Sequence, residues 1–363
     1  MKFYCENFAC LNRTDEYALV QRKFYDKGFT KTDKEEDADI ILIYTCGSTE
    51  AFIKRSIGRL NKIKEKYHYK KIVVCGCASV TANDLLDCGF TVCTPTDFSE
   101  LERFLDSTIS KEELRKAEII DDVKMLGRKA IVIQKGCVRK CAYCGIWRAV
   151  GSLFSKDEVS ILEEVQKCAE NGWYDISLTG DCIGDYGIEK GTNIIELIEK
   201  IYSISPEFKI NIYDLHPSSV IKYADRIINI AGKGIFNYIQ IPVQSGSRRI
   251  LKIMKRDFDY EILVNVIQML KQNNVKIGTD IIIGFPGENE DDFQQTINML
   301  KNMDLDDVSV NVYTDLNGSE SSYMKNKVRK IDILKRYNQL LQCKIRGIEE
   351  EYFEYQLSKV IKD

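Results

Sequence analysis

Short apolar runs alternate with longer amphipathic stretches in the N-terminal part of the chain. Short apolar runs rich in β-forming residues predict strands at residues 2–4, 40–44, 71–74 and 89–93, and longer helical stretches lie at residues 14–27, 49–66 and 98–105. Alternation of this kind is typical of a parallel sheet with helices on both faces. We therefore predict an α/β protein whose residues 1–110 form a doubly wound, flavodoxin-like domain.

A second alternation begins near residue 129. Six apolar runs predict strands at residues 130–134, 175–179, 209–213, 238–243, 276–283 and 308–312, and a helical segment follows each run but the last. Because a closed barrel has eight such units, we expect residues 128–325 to form a partial (β/α)6 barrel. Residues 111–127 read as a charged linker, and residues 326–363 as a C-terminal helical extension whose helical region spans 331–357.

Composition indicates a soluble chain with a sizeable core. The 363 residues are 44% hydrophobic and 29% charged, with a net charge of -3, so no overall basic field favours nucleic acid. No apolar run reaches the roughly 18 residues of a membrane span, and the N-terminus lacks the apolar core of a signal peptide. We expect a cytoplasmic protein without membrane contact; the sequence leaves its oligomeric state open.

Thirteen cysteines stand against only two histidines. Because the cytosol keeps thiols reduced, patterned cysteines in such a chain indicate metal binding or catalysis rather than disulfides. The scarcity of histidine favours ligation by thiolates alone, which suits iron–sulfur clusters or structural zinc.

Three of the cysteines, Cys137, Cys141 and Cys144, form a C-x3-C-x2-C spacing directly after the first predicted barrel strand. Three thiolates can hold three irons of a cubane cluster and leave the fourth iron open for substrate or cofactor. Zinc would need a fourth ligand nearby, and none follows in the sequence. Loops after barrel strands build active sites, so we predict a reactive cluster here.

Three further cysteines, Cys10, Cys46 and Cys77, are distant in sequence, yet each follows a predicted strand of the N-terminal domain. Loops after parallel strands gather at one edge of a sheet, so these thiols are expected to converge. Cys75 lies two residues before Cys77, within the strand, and is interpreted as a core residue.

Together the two sets resemble the radical SAM methylthiotransferases, over roughly residues 1–345. The matching stretches are CLN at 10–12 with TDE at 14–16, YTC at 44–46, CGC at 75–77, LTG at 178–180 with YG at 186–187, IPVQSGS at 241–247 with MKR at 254–256, and TDIIIGFPGE at 279–288 with Phe293 and Thr296. The resemblance implies two [4Fe-4S] clusters, the barrel cluster on Cys137, Cys141 and Cys144 and an auxiliary cluster on Cys10, Cys46 and Cys77. It also implies that S-adenosylmethionine serves twice, as methyl donor and as source of a 5'-deoxyadenosyl radical, so that a substrate C–H bond becomes C–S–CH3.

The resemblance further assigns residues to S-adenosylmethionine. Tyr143 would lie against the adenine, and residues at the strand ends would surround the rest of the cofactor: Gly180, Gln244, Ser245 and Asp280 through Ile283. A reductase such as flavodoxin or ferredoxin would supply electrons. His216, close to Asp214, is interpreted either as an active-site contact or as a structural hydrogen-bonding residue.

Several departures from the family bear on the substrate. The family's usual C-terminal TRAM domain is not expected here, Val150 and Lys156 replace customary arginines, and residues 315–319 read DLNGS in place of an arginine-containing motif. With the acidic net charge, these departures favour a peptide or protein side chain over a transfer-RNA adenosine of the position-37 type, which stays open as the second candidate substrate.

A basic group, Arg248, Arg249, Lys252, Lys255 and Arg256, is interpreted as a solvated helix face more readily than as an RNA-binding patch. The sequence also leaves two other functions open. One is a different radical SAM enzyme, such as a cobalamin-dependent methylase, and the second is an iron–sulfur redox scaffold.

Overall fold

The computed structural model of the chain describes residues 1–82, 89–110, 113, 124–125, 128–348 and 350–361. Its N-terminal sheet contains β1 (Lys2–Asn7), β2 (Thr30–Lys31), β3 (Ile40–Thr45), β4 (Lys71–Gly76) and β5 (Thr91–Val92). The strands are parallel and lie in the order β2-β1-β3-β4-β5. This is the strand order of flavodoxin-like doubly wound domains.

Helices cover both faces of the N-terminal sheet: α1 (Thr14–Asp26), α2 (Glu50–Lys66), α3 (Ala78–Thr81) and α4 (Ser99–Leu105). Phe24 of α1 and Leu101 of α4 belong to one buried apolar cluster, whereas Leu60 of α2 belongs to another. Neighbouring residues of β3, Ile41 and Leu42, enter different clusters because successive side chains of a strand point to opposite faces.

The second sheet holds β6 (Lys124–Met125), β7 (Arg128–Lys135), β8 (Phe154–Ser155), β9 (Asp175–Gly180), β10 (Lys209–Ile212), β11 (Phe236–Gln240), β12 (Lys276–Ile283) and β13 (Asp307–Val312). Strands β7 and β9 to β13 are parallel neighbours in chain order, while β6 and β8 pair with β7 in antiparallel fashion. The helices between them are α5 (Ile146–Val150), α6 (Glu158–Glu170), α7 (Ile194–Ile204), α8 (Pro217–Lys222), α9 (Ala224–Ala231), α10 (Arg248–Ile253), α11 (Tyr260–Gln272) and α12 (Glu290–Met303). The predicted α/β class, with a doubly wound sheet and a partial barrel, is confirmed.

Two helices follow the barrel, α13 (Lys330–Gln342) and α14 (Glu350–Ile361), where periodicity predicted one helical region. Between them, Lys344 and Gly347 have positive φ values of 47° and 83°, which a helix does not accommodate. Helix α14 packs against β13 and α2, and Gln356 donates from Nε2 to Thr49 Oγ1 over 3.2 Å. The C-terminal extension therefore connects the barrel to the N-terminal domain.

Several strands differ from their predicted bounds or existence, and the two-residue strands β6 and β8 were not predicted. The fourth parallel barrel strand, β11, ends at Gln240 rather than at residue 243, because Pro242 has no backbone N–H to donate to a ladder. The short strand β2 has no apolar alternation and was missed. Most of the predicted linker at 111–127 lies outside the described residues. In the described part of the chain, no helix is both long and apolar enough to span a membrane.

Candidate functional site

Seven cysteines line a single cavity of about 300 Å³ at the edge where the strands of both sheets end: Cys10, Cys46, Cys77, Cys137, Cys141, Cys144 and Cys182. The first three belong to the N-terminal domain and the others to the barrel. Both cysteine sets found in the sequence therefore face the same space. Loops after parallel strands meet at one sheet edge, and here two such edges face each other.

Cys10, Cys46 and Cys77 follow β1, β3 and β4, respectively. Glycines allow two of these loops to approach closely: a Cβ on Gly47 would lie 2.1 Å from Thr81 Oγ1, and one on Gly76 would lie 2.3 Å from the Thr45 carbonyl oxygen. Cys46 and Cys77 are buried, whereas Cys10 is open to the cavity.

The thiols of this N-terminal set interact electrostatically. Enclosure by protein and the neighbouring Cys46 thiol raise the pKa of Cys10 to about 12. Burial likewise raises the pKa of Cys77, with Cys10 and Cys46 adding to the effect. A bound metal favours the thiolate form of such clustered thiols, because its positive charge offsets the burial and the mutual repulsion of the sulfurs.

The loop after β7 carries Cys137, Cys141 and Cys144. Cys144 donates its backbone N–H to the Cys141 carbonyl over 3.1 Å, which closes a turn between them. The peptide of Ala142 anchors this turn, donating to Met254 O over 3.0 Å and accepting from Ser321 N over 2.8 Å. The loop is thus held from two sides by other barrel segments.

The donor set fits iron–sulfur clusters better than a single ion. Among the described residues, no three His, Cys, Asp or Glu side chains are close enough together to hold one metal ion. A cubane cluster instead binds each thiolate at a separate iron, so its ligands lie farther apart than those of one ion. Each set supplies three thiols to one cavity wall, which suits a cluster with one open iron.

Cys182 is a site residue that the sequence reasoning missed. Its thiol contacts that of Cys137, donates to Asp185 Oδ2 over 3.0 Å and accepts from Arg139 Nε over 3.3 Å. The signal available in the sequence was its position two residues past Gly180, at the end of a predicted barrel strand.

A second cavity of about 430 Å³ adjoins the first along β12 and β13, and Cys10, Tyr143, Cys144 and Gln244 line both. Gln244 has a positive φ of 75°, and its Oε1 is buried without a hydrogen-bond partner. Asp280 lines the second cavity and accepts from Gln240 Nε2 over 2.8 Å. Burial, reinforced by the Asp214 carboxyl, raises the pKa of Asp280 to about 8. These groups offer unused hydrogen bonds to a polar ligand.

Four residues that the resemblance placed around S-adenosylmethionine do not line either cavity: Gly180, Ser245, Ile281 and Ile283. Gly180 faces β7, where a Cβ would lie 2.7 Å from the Gln134 carbonyl oxygen. Ser245 is fully buried, with its hydroxyl 3.4 Å from Thr296 Oγ1, and Ile283 is a fully buried core residue. Their assignment to S-adenosylmethionine stays a prediction.

His216 was interpreted either as an active-site contact or as a structural hydrogen-bonding residue, and its position agrees with both. Its Nδ1 accepts from Ser218 N over 3.1 Å and so caps α8, while its ring also lines the first cavity. Burial lowers the pKa of this imidazole, with the Arg256 and Arg139 charges adding to the effect, so the ring is neutral at physiological pH.

The basic group after β11 does not form one solvated face. Arg256 is buried and contacts the cavity, donating to Pro242 O over 2.6 Å and lying 3.6 Å from Cys141 Sγ. Arg249 pairs with Asp292, and Lys255 pairs with Glu320. Pairing with carboxylates neutralises much of this group and weakens the interpretation as an RNA patch.

Buried charges join the two domains beside the cavity. Arg13, one residue before α1, pairs with Asp181 in the loop after β9. Lys135 of β7 pairs with Asp15 over 2.8 Å and with Glu16 over 2.9 Å, both in α1. Sequence alone does not show these pairs because their partners are more than a hundred residues apart.

Comparison with protein families gives two matches in the chain. Residues 131–300 match the model described as the radical SAM superfamily. Residues 2–91 match the model described as uncharacterized protein family UPF0004. The first match contains the C-x3-C-x2-C loop, and the second contains Cys10, Cys46 and Cys77.

Similar curated proteins are named as enzymes that modify transfer RNA. One is the probable threonylcarbamoyladenosine tRNA methylthiotransferase of Archaeoglobus fulgidus, 28% identical, with 90% of this chain and 79% of that protein covered. Another is the tRNA-2-methylthio-N(6)-dimethylallyladenosine synthase of Clostridium botulinum strain Okra, 26% identical, with 99% and 85% covered.

Among solved structures, the fold is similar to that of the radical S-adenosylmethionine methyltransferase TsrM from Kitasatospora setae. The TM-score is 0.63 at 12% identity, with 85% of this chain and 72% of that chain covered. The cobalamin-dependent S-adenosylmethionine radical enzyme OxsB has a TM-score of 0.61 at 11% identity, with 96% and 58% covered. At such identities the likeness concerns the fold alone.

Proposed function

The chain belongs to the radical S-adenosylmethionine methylthiotransferases, and we propose that its substrate is an adenosine of transfer RNA. As a member of this family it is an enzyme that uses two [4Fe-4S] clusters and S-adenosylmethionine. The observation that carries the proposal is that all six cysteines of the two sets line one cavity. An enzyme that joins sulfur to a substrate radical needs its sulfur source and its radical source to face the same space.

We assign the barrel cluster to Cys137, Cys141 and Cys144, and the auxiliary cluster to Cys10, Cys46 and Cys77. When bound, these groups supply a 5'-deoxyadenosyl radical and a sulfur atom, respectively, to a substrate held between them. The protein's own contribution is to exclude water and to hold the reacting partners at a fixed separation. The ion pairs of Arg13 and Lys135 cross between the two domains, and so they help to hold the reacting partners at a fixed separation.

The second cavity is the proposed place for S-adenosylmethionine and the substrate base. Tyr143 offers an aromatic face, and Gln244 offers a buried carbonyl oxygen that lacks a partner. With its raised pKa, Asp280 carries a proton at neutral pH and can donate a hydrogen bond to a ring nitrogen or a carboxylate. Both groups therefore suit a polar, planar ligand such as a purine.

The relatives support transfer RNA over a peptide. Both curated proteins compared above are named for a modified adenosine in transfer RNA, whereas our preference from the sequence was a peptide or protein side chain. That preference rested on replaced arginines, on the acidic net charge and on the expectation that a TRAM domain is absent, and neither the comparisons nor the cavity supports it. We further propose that the enzyme works in the cytoplasm with a flavodoxin or ferredoxin as reductant.

The test uses the full chain, purified and reconstituted without oxygen. We expect about eight irons per chain from two cubanes, and 5'-deoxyadenosine on addition of S-adenosylmethionine and a reductant. Bulk transfer RNA from cells lacking the gene is then the substrate, and digested nucleosides are examined by mass spectrometry. The expected product is an adenosine that has gained sulfur and a methyl group.

Two triple variants act as matched controls. Alanine at Cys10, Cys46 and Cys77 should abolish the thioether and retain 5'-deoxyadenosine formation, whereas alanine at Cys137, Cys141 and Cys144 should abolish both. If peptides gain the methylthio group while transfer RNA stays unmodified, the proposal of a transfer-RNA substrate is refuted. Thioether formation by the first variant would refute the assignment of the auxiliary cluster.

A further inference from the structure

Arg13 is a buried cation beside the N-terminal cysteine set. It follows Cys10 by three residues and ends the 3-10 turn Leu11–Arg13. Its side chain is 1% exposed and lies in the wall of the first cavity. Cys10 and Cys77 line the same cavity as Arg13.

Two of the three guanidinium nitrogens of Arg13 donate to carboxylates, and the third has no partner. Nη1 donates to Glu16 Oε1 over 2.5 Å, and Nη2 donates to Asp181. Nε is buried without a hydrogen-bond partner. A buried N–H of a charged group costs free energy when unpaired, so this atom is suited to an anionic ligand that enters the cavity.

The barrel cysteines have a similar neighbour. Arg256, 7% exposed, lies 3.6 Å through Nη1 from Cys141 Sγ, and its other contact is a carbonyl, Pro242 O. Each cysteine set is thus accompanied by one buried guanidinium, but only Arg13 is held by two carboxylates. Those carboxylates orient the arginine and come from both domains, Glu16 from α1 and Asp181 from the barrel.

We propose that Arg13 is the positioning residue that holds an anionic sulfur ligand, hydrosulfide, at the open iron of the auxiliary cluster. This inference rests on the proposed assignment of Cys10, Cys46 and Cys77. A cluster bound by three thiolates is already anionic, so a further anion binds well only where a nearby cation offsets the repulsion. Arg13 supplies that charge together with the free N–H.

The test measures hydrosulfide binding directly and needs neither transfer RNA nor turnover. The full chain with alanine at Cys137, Cys141 and Cys144 carries only the auxiliary cluster, whose reduced form is followed by electron paramagnetic resonance during titration with sodium hydrosulfide. In this background, Arg13→Gln should weaken binding by about tenfold or more, because hydrogen bonds to charged groups are typically worth that factor. Arg13→Lys, which retains the charge, should restore part of the affinity.

Arg336→Gln is the matched control, since Arg336 is equally buried and carboxylate-paired, with Glu288, but lies outside both cavities. It should leave hydrosulfide affinity unchanged. Equal affinity in Arg13→Gln and its parent would overturn the role of Arg13.

If Arg13→Gln does not retain the cluster, Asp181→Asn decides the question. Removing this carboxylate leaves Arg13 less neutralised, so tighter hydrosulfide binding supports the proposal and unchanged or weaker binding overturns it. A parent variant that assembles no cluster at all would instead refute the cysteine assignment on which the proposed function rests.

Discussion

Lys135 of the barrel strand β7 forms a buried ion pair with Asp15 of helix α1, with 2.8 Å between Nζ and Oδ2. The side chains are 9% and 4% exposed, and Glu16 accepts from the same ammonium. This contact joins the sheet that carries Cys10, Cys46 and Cys77 to the sheet that carries the other cysteine set. The contact helps to fix the two domains in the arrangement in which both cysteine sets line one cavity.

Lys135→Met should destabilise the protein by about 3–5 kcal/mol, because it leaves the buried Asp15 carboxyl without its ion-pair partner and removes one of the two cations that contact Glu16. The measurement is denaturant unfolding of the protein without clusters. Lys200→Met is the matched surface control, since Lys200 pairs with Glu158 at 50% and 29% exposure, and it should cost at most about 1 kcal/mol. If both variants lose a similar free energy of unfolding, the buried ion pair between the domains stabilises the protein no more than a surface pair does.

Phe353→Ala should remove a principal contact of the C-terminal extension. Phe353 is fully buried, and its ring meets that of Tyr337 at 4.5 Å between centroids. Truncating a buried phenylalanine costs about 3–5 kcal/mol through lost burial and the cavity left behind. Thermal unfolding measures the loss, and Tyr323→Ala, at a side chain 78% exposed, should shift stability by about 0.5 kcal/mol or less. A stable Phe353→Ala variant would mean that α14 is dispensable.

Asp280 should make the protein less stable as pH rises from about 4 to 8. Desolvation raises its pKa in the folded state from 3.8 to about 8, so in this window the folded protein binds more protons than the unfolded chain. The free energy of unfolding therefore falls with pH, by up to about 1.4 kcal/mol per pH unit from this group. Asp280→Asn should remove that slope in denaturant unfolding followed from pH 4 to 8, while the exposed Asp37→Asn should retain it. An unaltered slope in Asp280→Asn would contradict the assignment.

His216 should make the protein less stable as pH falls, which is the opposite of the pH dependence expected from Asp280. Burial lowers its pKa, so below its ordinary value of 6.5 only the unfolded chain takes up the proton, and this contribution to stability is lost as pH falls. His216→Asn retains a side chain that can cap α8, so it should lose little stability at pH 8 and weaken the acid sensitivity. His216→Ala should lose about 1 kcal/mol at pH 8 because Ser218 N loses its acceptor. Equal stability of the two variants at pH 8 would exclude the capping role.

Several parts of the site were accessible from sequence because they depend on local order. Cys137, Cys141 and Cys144 are neighbours along the chain, and Cys10, Cys46 and Cys77 each follow a short apolar run that predicts a strand. The bounds of α1 and α2 agree with their predicted ranges to within one residue. Helix α13 could not be separated from α14, because the break depends on the left-handed backbone at Lys344 and Gly347 rather than on hydrophobic period.

The sequence by itself determined the class of fold, the family and the six thiols expected to carry the chemistry, since hydrophobic period and spacing along the chain are local properties. Only the tertiary structure decided that both sets line one cavity and that Arg13 and Asp181 meet across the domains. It also decided that Gly180, Ser245, Ile281 and Ile283 lie outside the linings of both cavities. The reason is that pairing of buried charges and the direction of a side chain at a strand end depend on how the sheets pack, which no short stretch of residues encodes.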